Sequence, residues 1–226
     1  MQDIIIINPK GGCGKSTIAM NLAGFFACWG VTVGLVDLDP QTSCLDWLQA
    51  RPGERPGIQG WPDIETSTRL AGQLDYRIID VPSSRFDEQI QSLMLGANTI
   101  IVPLLASIND FRATAKFLQE LDALHGWFGD QTRIGFIANR IKYNTRSFHY
   151  LKDFIRESSI PCRGILRDTH NYLRASEQGL SIFEMPKRQV SSDLAQWQRI
   201  IRWLCFDRSI SIHVPAARDE NAEFAY

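Results

Sequence analysis

Apolar and polar positions follow two periods along the chain. "DIIIIN" (3–8) is a short unbroken apolar run rich in β-branched residues, which predicts a strand buried on both faces. A helix is predicted over 15–29 and a second strand over "VTVGLVD" (31–37). Three more runs, "YRIIDV" (76–81), "NTIIVPL" (98–104) and "TRIGFIAN" (132–139), have the same strand character. Helical spacing fills the intervals at 85–96, 109–125 and 144–157. A last helix is predicted over about 191–206, where Leu194, Trp197, Ile201 and Leu204 recur on one face and are expected to cap the core. Strands alternating with helices predict an α/β fold, a doubly wound, mostly parallel sheet with helices on both faces.

At roughly 150 residues per domain, a chain of 226 residues reads as one large domain, assigned to 1–208. The stretch "ARPGERPGIQGWPD" (50–63) holds three prolines and three glycines and reads as a surface loop, since the alternation resumes after it. Residues 209–226, with the closing run "VPAARDENAEFAY", read as a flexible tail. No window approaches the roughly 18 to 20 apolar residues of a membrane span. The first residues form a strand pattern containing Asp3 and are read as mature sequence, not as a signal peptide.

The five cysteines, Cys13, Cys28, Cys44, Cys162 and Cys205, are odd in number and scattered, and none forms a CxxC pair. Their spacing argues against a disulfide framework and against a zinc or iron–sulfur site built by one chain, and fits a reducing cytoplasm. The net charge of −1 hides an asymmetry. Residues 1–130 carry 9 Lys and Arg against 15 Asp and Glu, a net of −6; residues 131–208 carry 14 against 7, a net of +7. A basic second half suits a polyanion partner.

The chemistry concentrates in "IIIINPKGGCGKST" (4–17). A strand, a glycine-rich turn and a helix starting at Lys15 make a phosphate cradle. Glycines let backbone N–H groups point inward, and the helix N-terminus adds its positive end. Lys15 would reach the β- and γ-phosphates, the Ser16 hydroxyl would ligate Mg²⁺, and Thr17 could donate to the α-phosphate. Gly14, Lys15 and Ser16 fit the end of G-x-x-x-x-G-K-[ST]; its first glycine would fall on Pro9, so that pattern is not met.

Read from Lys10, the turn is K-G-G-x-G-K-[ST], with Gly11, Gly12, Cys13 and Gly14 between the lysines. This resembles the deviant Walker A of the ParA/MinD family of ATPases, within the P-loop NTPases. The resemblance implies that Lys10 is the signature lysine, reaching the partner's phosphates in a homodimer that sandwiches ATP, while Lys15 serves its own nucleotide. "VDLDPQTS" (36–43) resembles the family's switch I: Asp39 would position the attacking water and Asp37 would support the Mg²⁺ shell. "YRIIDVPSS" (76–84) resembles a Walker B and switch II, with Asp80 holding Mg²⁺ and Pro82 shaping a γ-phosphate-sensing loop. Asn139, in "FIANRI", is the candidate that reads adenine, with a polar strand end as the alternative. "LRASEQGLSIFEM" (173–185) resembles the family's segment after its last strands.

The resemblance further implies slow ATP hydrolysis stimulated by a cargo-bound adaptor. It also implies binding of non-specific DNA in the ATP state, a nucleoid location in the cytoplasm, and positioning of a plasmid, chromosome region or protein assembly such as a carboxysome or chemotaxis cluster. Arg163, Arg167, Arg174, Lys187, Arg188, Arg199 and Arg202 are the DNA-contact candidates, with a scattered solvated surface as the alternative. The glycine-rich turn starts close to residue 1, so no helix-turn-helix is expected before it and no specific operator. The alternative reading is a MinD-like membrane regulator using Trp197, Trp203, Arg199 and Arg202. The lack of a paired cysteine motif argues against a metal-cluster carrier, the lack of a further residue constellation against a synthetase, and Lys10, Lys15, Asp39 and Asp80 together against a pseudo-ATPase that binds nucleotide only to dimerise.

Overall fold

The structure is a computed structural model describing residues 1–70, 72–124 and 132–205. The elements run β1 (Gln2–Ile6), α1 (Lys15–Cys28), β2 (Val33–Asp37), α2 (Ser43–Gln49), β3 (Gln59–Trp61), α3 (Ile64–Leu70) and β4 (Tyr76–Asp80). They continue with α4 (Glu88–Leu95), β5 (Thr99–Leu104), α5 (Ile108–Leu124), β6 (Arg133–Ile141), α6 (Arg146–Glu157), β7 (Cys162–Arg167), α7 (Asn171–Glu177) and α8 (Lys187–Leu204). The strands form one sheet in the order β3-β2-β4-β1-β5-β6-β7, and every pairing is parallel. The order reverses at β1, so the crevice beyond its carboxyl end is where such a sheet binds ligands.

The unbroken apolar runs follow from burial on both faces. Ile4 and Ile6 pack with Ile78, Ile101 and Ile137 under α1 and α8. Ile5 and Ile7 pack with Ile79, Ile100 and Val102 against Phe111, Phe117 and Phe148 of the opposite layer. Side chains alternate faces along a strand, so a run apolar at every position serves two cores at once.

Two expectations are revised, the loop at 50–63 and the start of the last helix. The proline- and glycine-rich stretch 50–63 is not all loop: β3 lies inside it, parallel to β2, and Trp61 is buried. Gly34 leaves the room, since a Cβ there would meet the Trp61 ring at 2.4 Å. A three-residue strand is too short to show a period. The last helix starts at Lys187, ahead of the predicted 191: the fully buried Val190 already belongs to its apolar face, and only the polar Lys187, Arg188 and Gln189 before it carry no apolar signal. Its apolar face is core: Trp197 is fully buried and donates through Nε1 to the Tyr172 hydroxyl at 3.0 Å. That face is therefore not available to a membrane, and no helix among the described residues is long and apolar enough to cross one. The tail assigned to 209–226 lies outside the described residues.

Candidate functional site

The turn after β1 is built to hold an anion. Gly12 and Gly14 sit at φ 77° and 92°, the left-handed region that favours glycine. A Cβ on Gly14 would also meet Asn139 Nδ2 at 2.0 Å. Asn8 fixes the start of the turn, its Oδ1 accepting from Lys10 N at 2.9 Å. The first turn of α1 has no side-chain cap and no acid, so its N–H groups are left for a ligand. Lys15 is buried, and its Nζ donates to the Asn8 and Lys10 carbonyls at 3.3 and 3.4 Å. These long contacts hold the ammonium at the turn, where phosphate oxygens would replace them. The Cys13 thiol donates to the Lys10 carbonyl at 3.2 Å, inside the turn. No ion pair among the described residues engages Lys10.

Two carboxylates stand at the neighbouring strand ends. Asp37 closes β2 and Asp80 closes β4, opposite each other in register. Asp37 Oδ2 accepts from Cys44 N at 2.7 Å and Leu45 N at 3.3 Å, and Oδ1 accepts from Asp39 N at 3.1 Å. Burial pushes the Asp37 carboxyl up, and those N–H donors pull it back. Asp80 is 1% exposed, and its Oδ1 has no hydrogen-bond partner. Burial pushes its pKa up to about 6; the Ser16 hydroxyl lowers it and the Asp37 charge raises it. An unpartnered buried carboxylate oxygen beside a second carboxylate and a serine hydroxyl fits a hard cation such as Mg²⁺. Asp39 lies just outside this pair, half-buried, with Oδ1 accepting from Gln41 N at 2.9 Å.

A cavity of about 510 Å³ opens beside the turn. Gly12, Gly14 and Thr17 form one side, and Tyr172, Leu173 and Ser176 of α7 form the other. Asn139 lines it too, but its amide is engaged: Nδ2 donates to the Cys13 carbonyl at 2.9 Å and Oδ1 accepts from Arg140 N at 2.9 Å. Asn139 therefore braces the turn through the Cys13 carbonyl. Spacing gave no sign of the α7 wall, because α7 meets α1 only through the fold. Cys44 was missed in the same way: its ligand atom lies within 4.8 Å of those of Asp37 and Asp80, and the three come from three different elements.

The seven basic candidates do not form one patch. α8 runs antiparallel to β7: Arg167 faces Asp193, Gly164 faces Ile200, and Arg163 stacks over the Trp203 ring at 5.3 Å. Lys187 and Arg188 therefore stand at the phosphate-turn edge of the sheet, as does Arg174 on α7. Arg163, Arg199 and Arg202 stand at the far edge, about 20 Å away along a helix rising 1.5 Å per residue. Arg167 is committed within the chain, its Nε 2.5 Å and Nη2 3.2 Å from the carboxylate of fully buried Asp193, and it lines the cavity. That ion pair raises its pKa further.

Residues 4–182 match the model of the CobQ/CobB/MinD/ParA nucleotide binding domain. The chain is 30% identical over 204 residues to the maintenance of carboxysome distribution protein A of Gloeobacter kilaueensis, covering 87% of this chain and 91% of that one. It is 50% identical to the chromosome-partitioning ATPase Soj of Thermus thermophilus, over 59% of this chain and 67% of that one. Among solved structures, apo McdA of Cyanthece superposes with a TM-score of 0.71 at 17% identity, covering 89% of this chain and 99% of that one, a likeness of fold.

Proposed function

Because the chain belongs to the CobQ/CobB/MinD/ParA nucleotide-binding family, and is an ATPase using ATP and Mg²⁺, we propose that it is a positioning ATPase. It pairs around ATP, binds DNA without sequence preference in that state, and distributes a cargo through the cytoplasm along the nucleoid. The observation that carries the reading is the two-lysine turn. Lys15 is folded into its own cradle, while Lys10 has no ion-pair partner among the described residues and is available to complete a neighbour's site. The relatives named for carboxysome distribution and chromosome partitioning support the cargo half.

Each side chain then has a task. Gly11, Gly12, Cys13, Gly14 and Thr17 present backbone and hydroxyl donors to the phosphates, and Lys15 neutralises their charge. Ser16, Asp37 and Asp80 hold Mg²⁺, which offsets phosphate charge when bound. Asp39 orients the attacking water. An adaptor on the cargo stimulates the slow hydrolysis and releases the ATPase from DNA. The exposed group Arg174, Lys187 and Arg188, at the edge where the nucleotide sits, is the DNA surface; pairing doubles its phosphate contacts.

The test is binding to random-sequence duplex with no nucleotide, ADP or ATP–Mg²⁺, at two salt concentrations. The parent should bind only with ATP and lose affinity steeply with salt, and Lys10→Ala should not bind. Charge reversal at Lys187 and Arg188 should abolish binding while reversal at Arg199 and Arg202 leaves it. Absence of DNA binding in every nucleotide state would remove the nucleoid half of the reading. Flotation with liposomes then tests the MinD-like alternative.

A further inference from the structure

Cys44 is the second residue of α2 and is fully buried. Its surroundings are unusual for a small core residue. Its thiol lies 3.4 Å from Asp80 Oδ2, and its backbone N–H donates to Asp37 at 2.7 Å. One ligand atom each from Asp37, Cys44 and Asp80 lies within 4.8 Å of the other two. Independently, Asp80 Oδ1 is buried with no hydrogen-bond partner. A buried oxygen in that condition calls for a donor or a cation.

We propose that Asp37, Cys44 and Asp80 form a site for one thiophilic divalent cation of the Zn²⁺ class, which binds the nucleotide-free protein and excludes the Mg²⁺–nucleotide. Two carboxylates alone favour a hard cation such as Mg²⁺. A sulfur ligand shifts the preference toward Zn²⁺ and Cd²⁺. In a tetrahedral site with Zn–S near 2.3 Å and Zn–O near 2.0 Å, neighbouring ligand atoms stand about 3.5 Å apart. The Cys44–Asp80 pair is already at that spacing, and the third ligand closes by about an ångström. As the metal–sulfur bond forms, the thiol proton leaves to solvent. Water or the Ser16 hydroxyl completes four ligands. The cation then occupies the carboxylates that Mg²⁺ needs, so the two are mutually exclusive.

The cluster is invisible to a search for CxxC spacing because β2, α2 and β4 each bring one ligand. The inference shares Asp37 and Asp80 with the proposed Mg²⁺ site but not the DNA or dimer reading. Its failure would leave the ATPase assignment untouched, and the DNA experiment has no bearing on it.

The experiment titrates Cd²⁺, then Zn²⁺, into the full nucleotide-free chain kept reduced with a non-thiol reductant. It reads the thiolate-to-Cd²⁺ absorption in the near ultraviolet, heat, and proton release. The parent should show the band with one equivalent bound and one proton released. Cys44→Ala should lose the band and weaken Cd²⁺ binding at least tenfold, while Cys28→Ala, at the exposed cysteine, keeps both. Prior addition of Mg²⁺–ADP should weaken Cd²⁺ at least tenfold. A band missing from the parent, or retained in Cys44→Ala, overturns the proposal. If Cys44→Ala does not melt cooperatively, Cys44→Ser, which keeps the size, is titrated in its place, and loss or retention of the band carries the same meaning.

Discussion

Replacing Asp80 with Asn should stabilise the nucleotide-free protein at neutral pH. Burial moves the Asp80 carboxyl from an ordinary 3.8 to about 6. The folded state therefore holds this proton more tightly than the unfolded chain does. Below the lower value both states are protonated and there is no cost. Between the two values folding stability falls, and above the upper one the full cost remains. The shift of about two units, at about 1.4 kcal/mol each, amounts to roughly 3 kcal/mol. The linkage relation gives about 1 kcal/mol at about pH 4.5 and about 3 kcal/mol at about pH 7.5. Asn keeps the shape, carries no charge, and removes the repulsion with Asp37. At roughly 2–4 °C per kcal/mol for a chain of this size, the variant should melt about 6–12 °C above the parent at pH 7.5, and only a few degrees above it at pH 4.5. The assay is thermal melting in a chelator without nucleotide across that pH range. Mg²⁺–ATP should then raise the melting temperature of the parent and not of the variant. A variant no more stable than the parent at neutral pH, or a difference that does not change with pH, would show that the buried charge is not the cost.

Other expectations follow from the same geometry. Asp39→Ala should keep the ATP-bound pair on DNA and slow hydrolysis at least tenfold, as read by single-turnover phosphate release; normal turnover would take the water-positioning role from Asp39. Gly14→Ala combines φ 92° with a Cβ 2.0 Å from Asn139 Nδ2. Titration with a fluorescent ATP analogue should show nucleotide affinity down at least tenfold, and a parent-like affinity would mean the turn can relax. Arg51→Ala breaks a bidentate pair with Glu184 whose side chains are 6% and 1% exposed. Chemical denaturation should show a loss of about 3–5 kcal/mol, as for one partner removed from a buried pair; a loss under about 1 kcal/mol would place the pair among surface ion pairs.

Much of this molecule can be read locally. "DIIIIN" reads as buried on both faces from its unbroken apolar run, and "NPKGGCGKST" places glycines at the two turn positions whose φ of 77° and 92° favours glycine. Asp37 and Asp80 each follow an apolar run, so their place at a strand's carboxyl end is also local. β3 and β7 were not legible: three residues are too few to show a period, and in "CRGILR" two arginines and a glycine break up the apolar run.

Tertiary structure alone decided which of these features meet. Parallel pairing of β2 with β4 sets Asp37 against Asp80, and α2 then brings the Cys44 thiol to within 4.8 Å of a carboxylate oxygen of each. The antiparallel run of α8 along β7 splits the basic half into two groups and commits Arg167 to Asp193. Net charge and spacing are properties of the chain as a line. Contact between carboxylates, or between an arginine and a buried aspartate, depends on sheet order and helix direction, and these are fixed by how the apolar faces pack across the whole sheet.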